Sequence, residues 1–222
     1  MEPSKLTTKS LVMWGGAVLL LTVIVVGAVK LASPESPSST DTDADLDSVT
    51  ELDWMRGSND AQAILIEYSD FECPACAAYY PLIEEVISAY GDSLLFAYRH
   101  FPLTQHQQAK SAAYASEAAG KQGKFWEMHH IIFENQSQWA GKKNASELFE
   151  SYAEEIGLVM EQYRTDVESD AVRDAVDEDF RGGLRANVNA TPTFFLNGEK
   201  IQNPPSLEGF KRLIDASVST TT

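Results

Sequence analysis

The stretch Phe71-Glu72-Cys73-Pro74-Ala75-Cys76 decides how the rest of the sequence is interpreted, because it holds the only two cysteines of the chain. It follows an apolar run, residues 63–68, whose Ile and Tyr residues predict a buried strand. After it, apolar residues recur every four positions across residues 78–86, which predicts a helix. The sequence therefore places Cys73 at the N-terminus of a helix and Cys76 one turn further on.

A helix N-terminus favours a negatively charged sulfur, because its backbone N–H groups are unpaired and the helix dipole is positive there. Thiols in such positions have pKa values lowered from about 8.5 to roughly 3.5–7.5. Pro74 is tolerated in the first turn, where its missing N–H group would have no helical partner. We therefore expect Cys73 and Cys76 to form a reversible, redox-active disulfide.

Two other roles for a Cys-x-x-Cys pair are half of a zinc site and a purely structural bridge. Structural zinc usually needs four ligands, and the chain has no second Cys-x-x-Cys and no nearby Cys/His pair. His129 and His130 are neighbours on a predicted helix, so they point to different faces and make a poor metal pair. We expect neither a metal nor another cofactor.

The length and charge of the chain limit its organisation and its partners. Its 222 residues are enough for one domain and an appendage, and the net charge is −16. So negative a chain is a poor partner for nucleic acid or for an anionic membrane surface.

Residues 1–32 have the features of a cytoplasmic N-terminus followed by a membrane anchor. Leu11–Val29 is uncharged, apolar and long enough to cross a bilayer as a helix. Lys5 and Lys9 precede it, so the positive-inside rule places the N-terminus in the cytoplasm. There are two alternatives: a buried core helix of a soluble protein, and a cleaved signal peptide. A signal peptide usually has a shorter apolar segment. We expect a single-pass protein with its folded domain outside the cytoplasm, in the periplasm or at the cell exterior.

Residues 33–48 are rich in Ser, Pro, Thr and Asp and predict a disordered linker. Its root-mean-square reach is roughly 20–25 Å. Acidic residues cluster from Asp41 to Asp53, and we interpret this cluster as part of a solvated tether. The folded domain is expected over residues 49–222.

The rest of the domain alternates strands and helices. Residues 94–100 predict a second strand, so strand, helix and strand form a βαβ unit with parallel strands. A helical block occupies about residues 104–187. Asn197-Gly198 separates two short apolar runs and predicts a β-hairpin, and residues 206–216 predict a closing helix. The fold class is α/β.

Three motifs make the sequence resemble the DsbA-type thiol-disulfide oxidoreductases. They are Glu-Tyr-Ser-Asp-Phe-Glu-Cys-Pro-Ala-Cys at 67–76, Tyr-Arg-His-Phe-Pro-Leu at 98–103 and Thr-Pro-Thr-Phe-Phe-Leu-Asn-Gly at 191–198. The resemblance covers about residues 57–217. It implies a thioredoxin-like fold with a helical insertion, preceded here by the transmembrane helix and the linker.

The resemblance also implies five site residues. Cys73 is the exposed nucleophile and Cys76 its buried partner. Pro192 is a cis-proline that faces the disulfide, and Thr191 precedes it. Glu67 takes the place of a buried acid that relays the proton of Cys76, although a strand residue pointing to solvent is the alternative for this position.

By the same resemblance, the protein forms disulfides in exported proteins. Its partners are then reduced exported substrates and a quinone-linked membrane protein that reoxidises it. A disulfide reductase or isomerase, or a non-catalytic chaperone-like binding protein, are the alternatives. The best-known oxidising members have His where this chain has Ala75. We therefore expect a weaker oxidant than DsbA, at about −120 mV, but a stronger one than thioredoxin, at about −270 mV.

Overall fold

The computed structural model describes residues 49–50 and 52–219 of the chain. The predicted anchor over Leu11–Val29 and the predicted linker over 33–48 lie outside the described residues. Within the described ranges, no helix combines the length and the apolar character needed to cross a membrane.

Five strands form a single sheet in the order β1-β3-β2-β4-β5. They are β1 Trp54–Gly57, β2 Ala63–Ser69, β3 Leu94–His100, β4 Thr193–Leu196 and β5 Glu199–Lys200. The central strands β2 and β3 are parallel, as the βαβ pattern predicts, and the other neighbouring pairs are antiparallel. The predicted hairpin is confirmed: Asn197 and Gly198 have φ values of 47° and 83° between β4 and β5.

Eight α-helices surround the sheet in the described part of the chain. They are α1 Pro74–Tyr90, α2 Ala109–Gly120, α3 Phe125–Glu134, α4 Gln136–Trp139, α5 Ala145–Glu155, α6 Met160–Val167, α7 Asp170–Arg185 and α8 Leu207–Ser219. A short 3₁₀ helix, Gly91–Ser93, joins α1 to β3. Helices α2 to α7 make up the helical insertion expected from the resemblance.

The sheet separates two apolar cores, because successive side chains of a strand point to opposite faces. Leu65 of β2 belongs to the larger core, which also contains Cys76 of α1. Ile66 and Tyr68 belong to the smaller core on the other face, together with Phe101. Residues of β2 at odd positions therefore lie on the face that α1 covers.

The helical insertion is organised around α2, which packs against α3, α5, α6 and α7. Its buried positions are mostly alanine, and a small side chain allows neighbouring helices to approach closely. Gly120 at its end lies against the indole of Trp54, where an added Cβ would be 2.3 Å from the ring. The insertion is thereby fixed to the edge strand β1.

Asp53 is the last residue of the acidic cluster. It is not part of a solvated tether, and the interpretation of the cluster is corrected at this residue. Its carboxylate accepts two hydrogen bonds from the Arg99 guanidinium, at 2.6 and 2.9 Å. Such a forked pair is stronger than a single contact between charges. Folded structure is thus in place by Asp53.

Candidate active site

The local structure at the Cys-x-x-Cys sequence is a strand, a tight turn and a helix, as the sequence predicts. Cys73 is the N-cap of α1, and Pro74 occupies the first turn. The Cys73 N–H group donates to the Asp70 carbonyl at 3.0 Å, and the Cys73 carbonyl accepts from the Ala77 N–H group at 3.1 Å. These bonds place the Cys73 sulfur at the end of the helix where unpaired N–H groups point outward.

The loop that carries Pro192 lies against this sulfur. The Thr191–Pro192 peptide bond is cis, as the resemblance implies. The Cys73 thiol donates to the Thr191 carbonyl oxygen, with 3.4 Å between the sulfur and the oxygen. Cys73 is 7% exposed and Cys76 is 0% exposed. The expectation of an exposed Cys73 is therefore wrong in degree. The covering loop accounts for this.

The pKa of Cys73 is lowered from its ordinary value of 9.0 to about 5. The largest cause is a hydrogen bond from the Cys76 thiol; burial opposes it, and the Thr191 hydroxyl and the N–H groups of Cys76 and Ala75 lower the pKa further. Each of these donors stabilises the charged form of the sulfur. Cys73 is therefore a thiolate at neutral pH.

Cys76 has the opposite chemistry. Burial, followed by the hydrogen bond to Cys73 and the charge of Glu67, raises the pKa of its thiol well above the ordinary value. The Asp70 N–H group donates to its sulfur at 3.5 Å. The reduced pair thus consists of one thiolate stabilised by hydrogen-bond donors and one fully buried thiol.

Glu67 lies behind the two cysteines, within β2. It is 4% exposed, so the prediction of a buried carboxyl is confirmed. Its neighbours across the sheet are Tyr98 of β3 and Phe194 of β4. Burial raises the pKa of this carboxyl to about 7, the Ser69 hydroxyl acts against that rise, and the charge of Cys73 adds to it. Glu67 can therefore gain or lose a proton near neutral pH; its role in the reaction remains a prediction.

Asp70 directly follows β2 and orders the turn before the cysteines. One carboxylate oxygen accepts from the Glu72 N–H group at 2.7 Å. The other accepts from the Leu103 N–H group at 2.8 Å and lies 2.7 Å from Nδ1 of His106. Asp70 is not recognisable from the sequence as a site residue, because an acid at a strand end is also typical of an ordinary exposed turn.

The helical insertion holds the same turn from the other side. The Glu72 carboxylate accepts from the N–H groups of Gln108, at 2.5 Å, and Gly141, at 2.7 Å. The Gln136 side chain donates to the Cys73 carbonyl at 3.0 Å. These contacts could not be predicted from local sequence patterns, since they join residues far apart in the chain.

The two adjacent histidines differ in their surroundings. His129 is buried among aromatic rings, and burial lowers the pKa of its imidazole well below the ordinary value. Nδ1 of His130 instead lies 3.0 Å from the Tyr80 hydroxyl. Among the residues that the structure describes, no group of three or more His, Cys, Asp or Glu side chains could hold a metal ion.

A stabilised thiolate next to a shielded thiol, on a thioredoxin-like sheet interrupted by a helical insertion, is the arrangement of a DsbA-like thiol-disulfide oxidoreductase. Comparison with known proteins agrees. The family model described as thioredoxin matches residues 50–216, and the chain belongs to that family.

Solved structures share the fold at low sequence identity. The α-DsbA1 of Wolbachia pipientis superposes with a TM-score of 0.69 at 21% identity, over 78% of this chain and 94% of that one. The oxidised BdbD of Bacillus subtilis gives 0.67 at 23% identity, over 76% and 94% of the two chains.

Curated relatives with higher identity are larger proteins. A Na⁺/H⁺ antiporter NhaA 1 of Mycolicibacterium vanbaalenii is 41% identical over 171 residues, which are 75% of this chain and 27% of the antiporter. The chain therefore spans about a quarter of the length of such relatives. Most of the length of each of these antiporters is therefore not matched by this chain.

Proposed function

We propose that this protein is a disulfide oxidase that transfers the Cys73–Cys76 disulfide to exported proteins. The observation that carries the proposal is the contrast between the two thiols: the pKa of Cys73 is lowered to about 5, whereas that of Cys76 is raised well above its ordinary value. A dithiol whose outer sulfur is stable as a thiolate favours its own reduced form, so its disulfide oxidises other thiols.

The reaction begins when a substrate thiolate attacks the Cys73 sulfur of the disulfide. The Cys73–Cys76 bond breaks, Cys76 leaves as a thiolate and takes up a proton, and a mixed disulfide joins Cys73 to the substrate. A second substrate thiolate then attacks the substrate sulfur of that bond. The substrate is released oxidised, and Cys73 is released as a thiolate, which the helix end stabilises.

The oxidising strength is expected to be intermediate. Low thiol pKa values accompany strong oxidants: the nucleophilic cysteine titrates near 3.5 in DsbA and near 7 in thioredoxin. A pKa of about 5 for Cys73 lies between them. Ala75 supplies a backbone N–H group to the thiolate but no charged side chain. These features support a potential between about −270 and −120 mV.

The loop at Thr191 is the proposed docking point for the substrate backbone. The Thr191 carbonyl lies beside the Cys73 sulfur, so an extended substrate segment placed there would present its own sulfur to Cys73. Main-chain pairing of this kind gives affinity without requiring a particular sequence. It suits an enzyme that acts on many unfolded clients.

We further propose that the domain works outside the cytoplasm, anchored by the apolar segment Leu11–Val29, and that a quinone-linked membrane protein reoxidises it. The charge pattern of the N-terminus supports this orientation. Tethering raises the effective concentration of the domain near a membrane partner.

Two assays on the full chain test the proposed direction. The first assay measures the rate at which the oxidised protein restores activity to a reduced, unfolded client such as ribonuclease. The second measures the rate at which the reduced protein precipitates insulin. We expect the first rate to be higher. Cys73→Ser should abolish both activities. Cys76→Ser should accumulate a mixed disulfide with insulin, because the Cys73 thiolate attacks an insulin disulfide, an insulin thiolate leaves, and no second cysteine resolves the bond. Faster insulin reduction would make the protein a reductase, and the absence of both activities in the unmodified chain would make it a binding protein.

A further inference from the structure

Two hydroxyl groups lie with Glu67 and Cys76 on the face of the sheet that α1 covers. Ser69 follows Glu67 by two residues in β2, so the two side chains lie on the same face. Tyr98 of β3 is the direct neighbour of Glu67 in the parallel register. Tyr98 and Cys76 belong to the same apolar core.

Neither hydroxyl has a conventional hydrogen-bond partner within the described residues. The Oγ atom of Ser69 and the phenolic oxygen of Tyr98 are both buried and unpaired. Buried polar groups are almost always paired, and leaving one unpaired costs about 1–3 kcal/mol. Ser69 and Tyr98 differ from other buried hydroxyls in their place, because both lie beside the titratable groups behind the disulfide.

The Ser69 hydroxyl acts on three titratable groups around it. Interaction with this hydroxyl lowers the pKa values of the Glu67 carboxyl, the Cys76 thiol and the Tyr98 phenol, in each case against the larger effect of burial. The pKa of Tyr98 is raised mainly by burial and then by the negative charges of Glu67, Cys76 and Asp70. Ser69 is therefore central to the group.

The reaction requires a proton to move at this place. When the mixed disulfide closes, Cys76 must lose its proton before it attacks the Cys73 sulfur. When the disulfide opens, Cys76 must take a proton up. Cys76 is 0% exposed, so bulk water does not reach its sulfur, and the neighbouring carboxyl able to exchange a proton near neutral pH is Glu67.

We propose that the Ser69 hydroxyl relays the proton between Cys76 and Glu67, and that Tyr98 is a positioning residue that donates a hydrogen bond to Glu67 when Glu67 is charged. On closure, Ser69 accepts the Cys76 proton while its own proton passes to the Glu67 carboxylate. The products are a Cys76 thiolate, an unchanged Ser69 hydroxyl and a neutral Glu67. No electrons are transferred in this step, and the reverse transfer accompanies opening.

This inference rests on the thiol-disulfide exchange of the proposed function but not on its direction, since the proton moves in both. Direct transfer between Glu67 and Cys76 is the competing mechanism. The two mechanisms differ in whether the hydroxyl at position 69 is needed.

The test follows the reaction of the reduced full chain with glutathione disulfide in a stopped-flow instrument. In the first phase the Cys73 thiolate forms a mixed disulfide and glutathione thiolate leaves. In the second phase Cys76 attacks the Cys73 sulfur and releases the other glutathione. The first phase thus reports on Cys73 alone and is an internal control for the second.

Ser69→Ala should slow the second phase by about 100-fold, at the low end of general acid–base contributions, and change the first phase by less than about twofold. Ser69→Thr should restore the second phase, because it keeps the hydroxyl. Tyr98→Phe should keep the maximal second-phase rate but move its pH inflection upward, since Glu67 loses a donor to its charged form.

Two matched controls remove buried hydroxyls elsewhere. Ser116 donates to the Ala113 carbonyl in α2, and the Tyr152 hydroxyl in α5 is buried and unpaired within the described residues. Ser116→Ala and Tyr152→Phe should leave both phases unchanged. A second phase in Ser69→Ala that matches the unmodified chain overturns the relay, as does slowing that Ser69→Thr does not reverse. An unmodified chain that closes its disulfide normally but fails to oxidise clients contradicts the proposed function alone.

Discussion

The two cysteine side chains divide the work because the fold gives them opposite environments. Cys73 lies at a helix end among hydrogen-bond donors, and Cys76 lies in an apolar core beside Glu67. The first environment stabilises a thiolate and the second destabilises one. At the scale of single residues, the chemistry depends on this contrast more than on either cysteine alone.

Replacing Glu67 tests its proton affinity through stability. The folded chain holds the Glu67 proton up to about pH 7, whereas the ordinary value is 4.5, so the unfolded chain releases it first. Stability should therefore fall as the pH rises from 4.5 to 7, by up to about 3 kcal/mol at about 1.4 kcal/mol per pH unit. In Glu67→Gln this loss is absent.

Urea unfolding of the reduced chain measures the effect. Glu67→Gln should match the unmodified protein near pH 4 and exceed it in stability near pH 8. An equal pH dependence in both proteins would show that Glu67 ionises normally in the folded state.

At the scale of elements, the helical insertion is fixed to the thioredoxin-like sheet at a few close contacts. Helix α7 approaches the sheet at Gly183, where an added Cβ would be 2.5 Å from the Phe101 ring and 3.0 Å from Tyr68. At the adjacent Gly182 the nearest atoms would be 3.6 Å away. The neighbouring glycines therefore have different reasons to be present.

This difference predicts opposite effects of one substitution at adjacent positions. Gly182→Ala should stabilise the protein by about 0.5–1 kcal/mol, because alanine is the better helix former. Gly183→Ala should destabilise it by roughly 1–2 kcal/mol, because overpacking outweighs the gain in helix propensity. Urea midpoints of the two variants measured in parallel decide this, and equal shifts would contradict the packing at Gly183.

The sequence was sufficient to predict those elements of the fold that depend on local sequence patterns. The strands β2 and β3, helix α1 and the hairpin follow from periodicity, turn residues and the cysteine spacing. Helix α7 continues through Gly182 and Gly183 to Arg185, although glycines favour a helix end, because Gly183 packs against Phe101 and Tyr68. The four-residue helix α4 gave no periodic signal.

The site residues divide in the same way. The resemblance supplied Glu67, the cysteines, Thr191 and Pro192 from short motifs. Ser69 and Tyr98 were not predicted, because their relation to Glu67 depends on the strand register. A hydroxyl in a strand has no evident role until the neighbouring side chains are known.

At the scale of the whole molecule, a redox domain is combined with an N-terminal segment of a different kind. The domain occupies the part of the chain that the family model matches, residues 50–216. Before it lie the apolar segment Leu11–Val29 and the polar residues 33–48. We propose that these segments hold the domain within roughly 20–25 Å of the membrane surface.

Labelling of cells tests this arrangement. The full chain should remain with membranes after carbonate extraction, and a membrane-impermeant maleimide should label it in intact cells or spheroplasts after mild reduction. The variant with both Cys73→Ser and Cys76→Ser should not be labelled. Recovery in the soluble fraction, or labelling only after lysis, would contradict the proposed anchor and its orientation.

The lowered pKa of Cys73 can be measured from the pH dependence of its alkylation in the reduced, unmodified chain. Iodoacetamide reacts with thiolates, so the rate at the peptide that contains Cys73, followed by mass spectrometry, reports the pKa of that sulfur. We predict an inflection near pH 5, with Cys76 unreactive at neutral pH. An inflection near pH 9, or a Cys73 that does not react at any pH, would contradict the account.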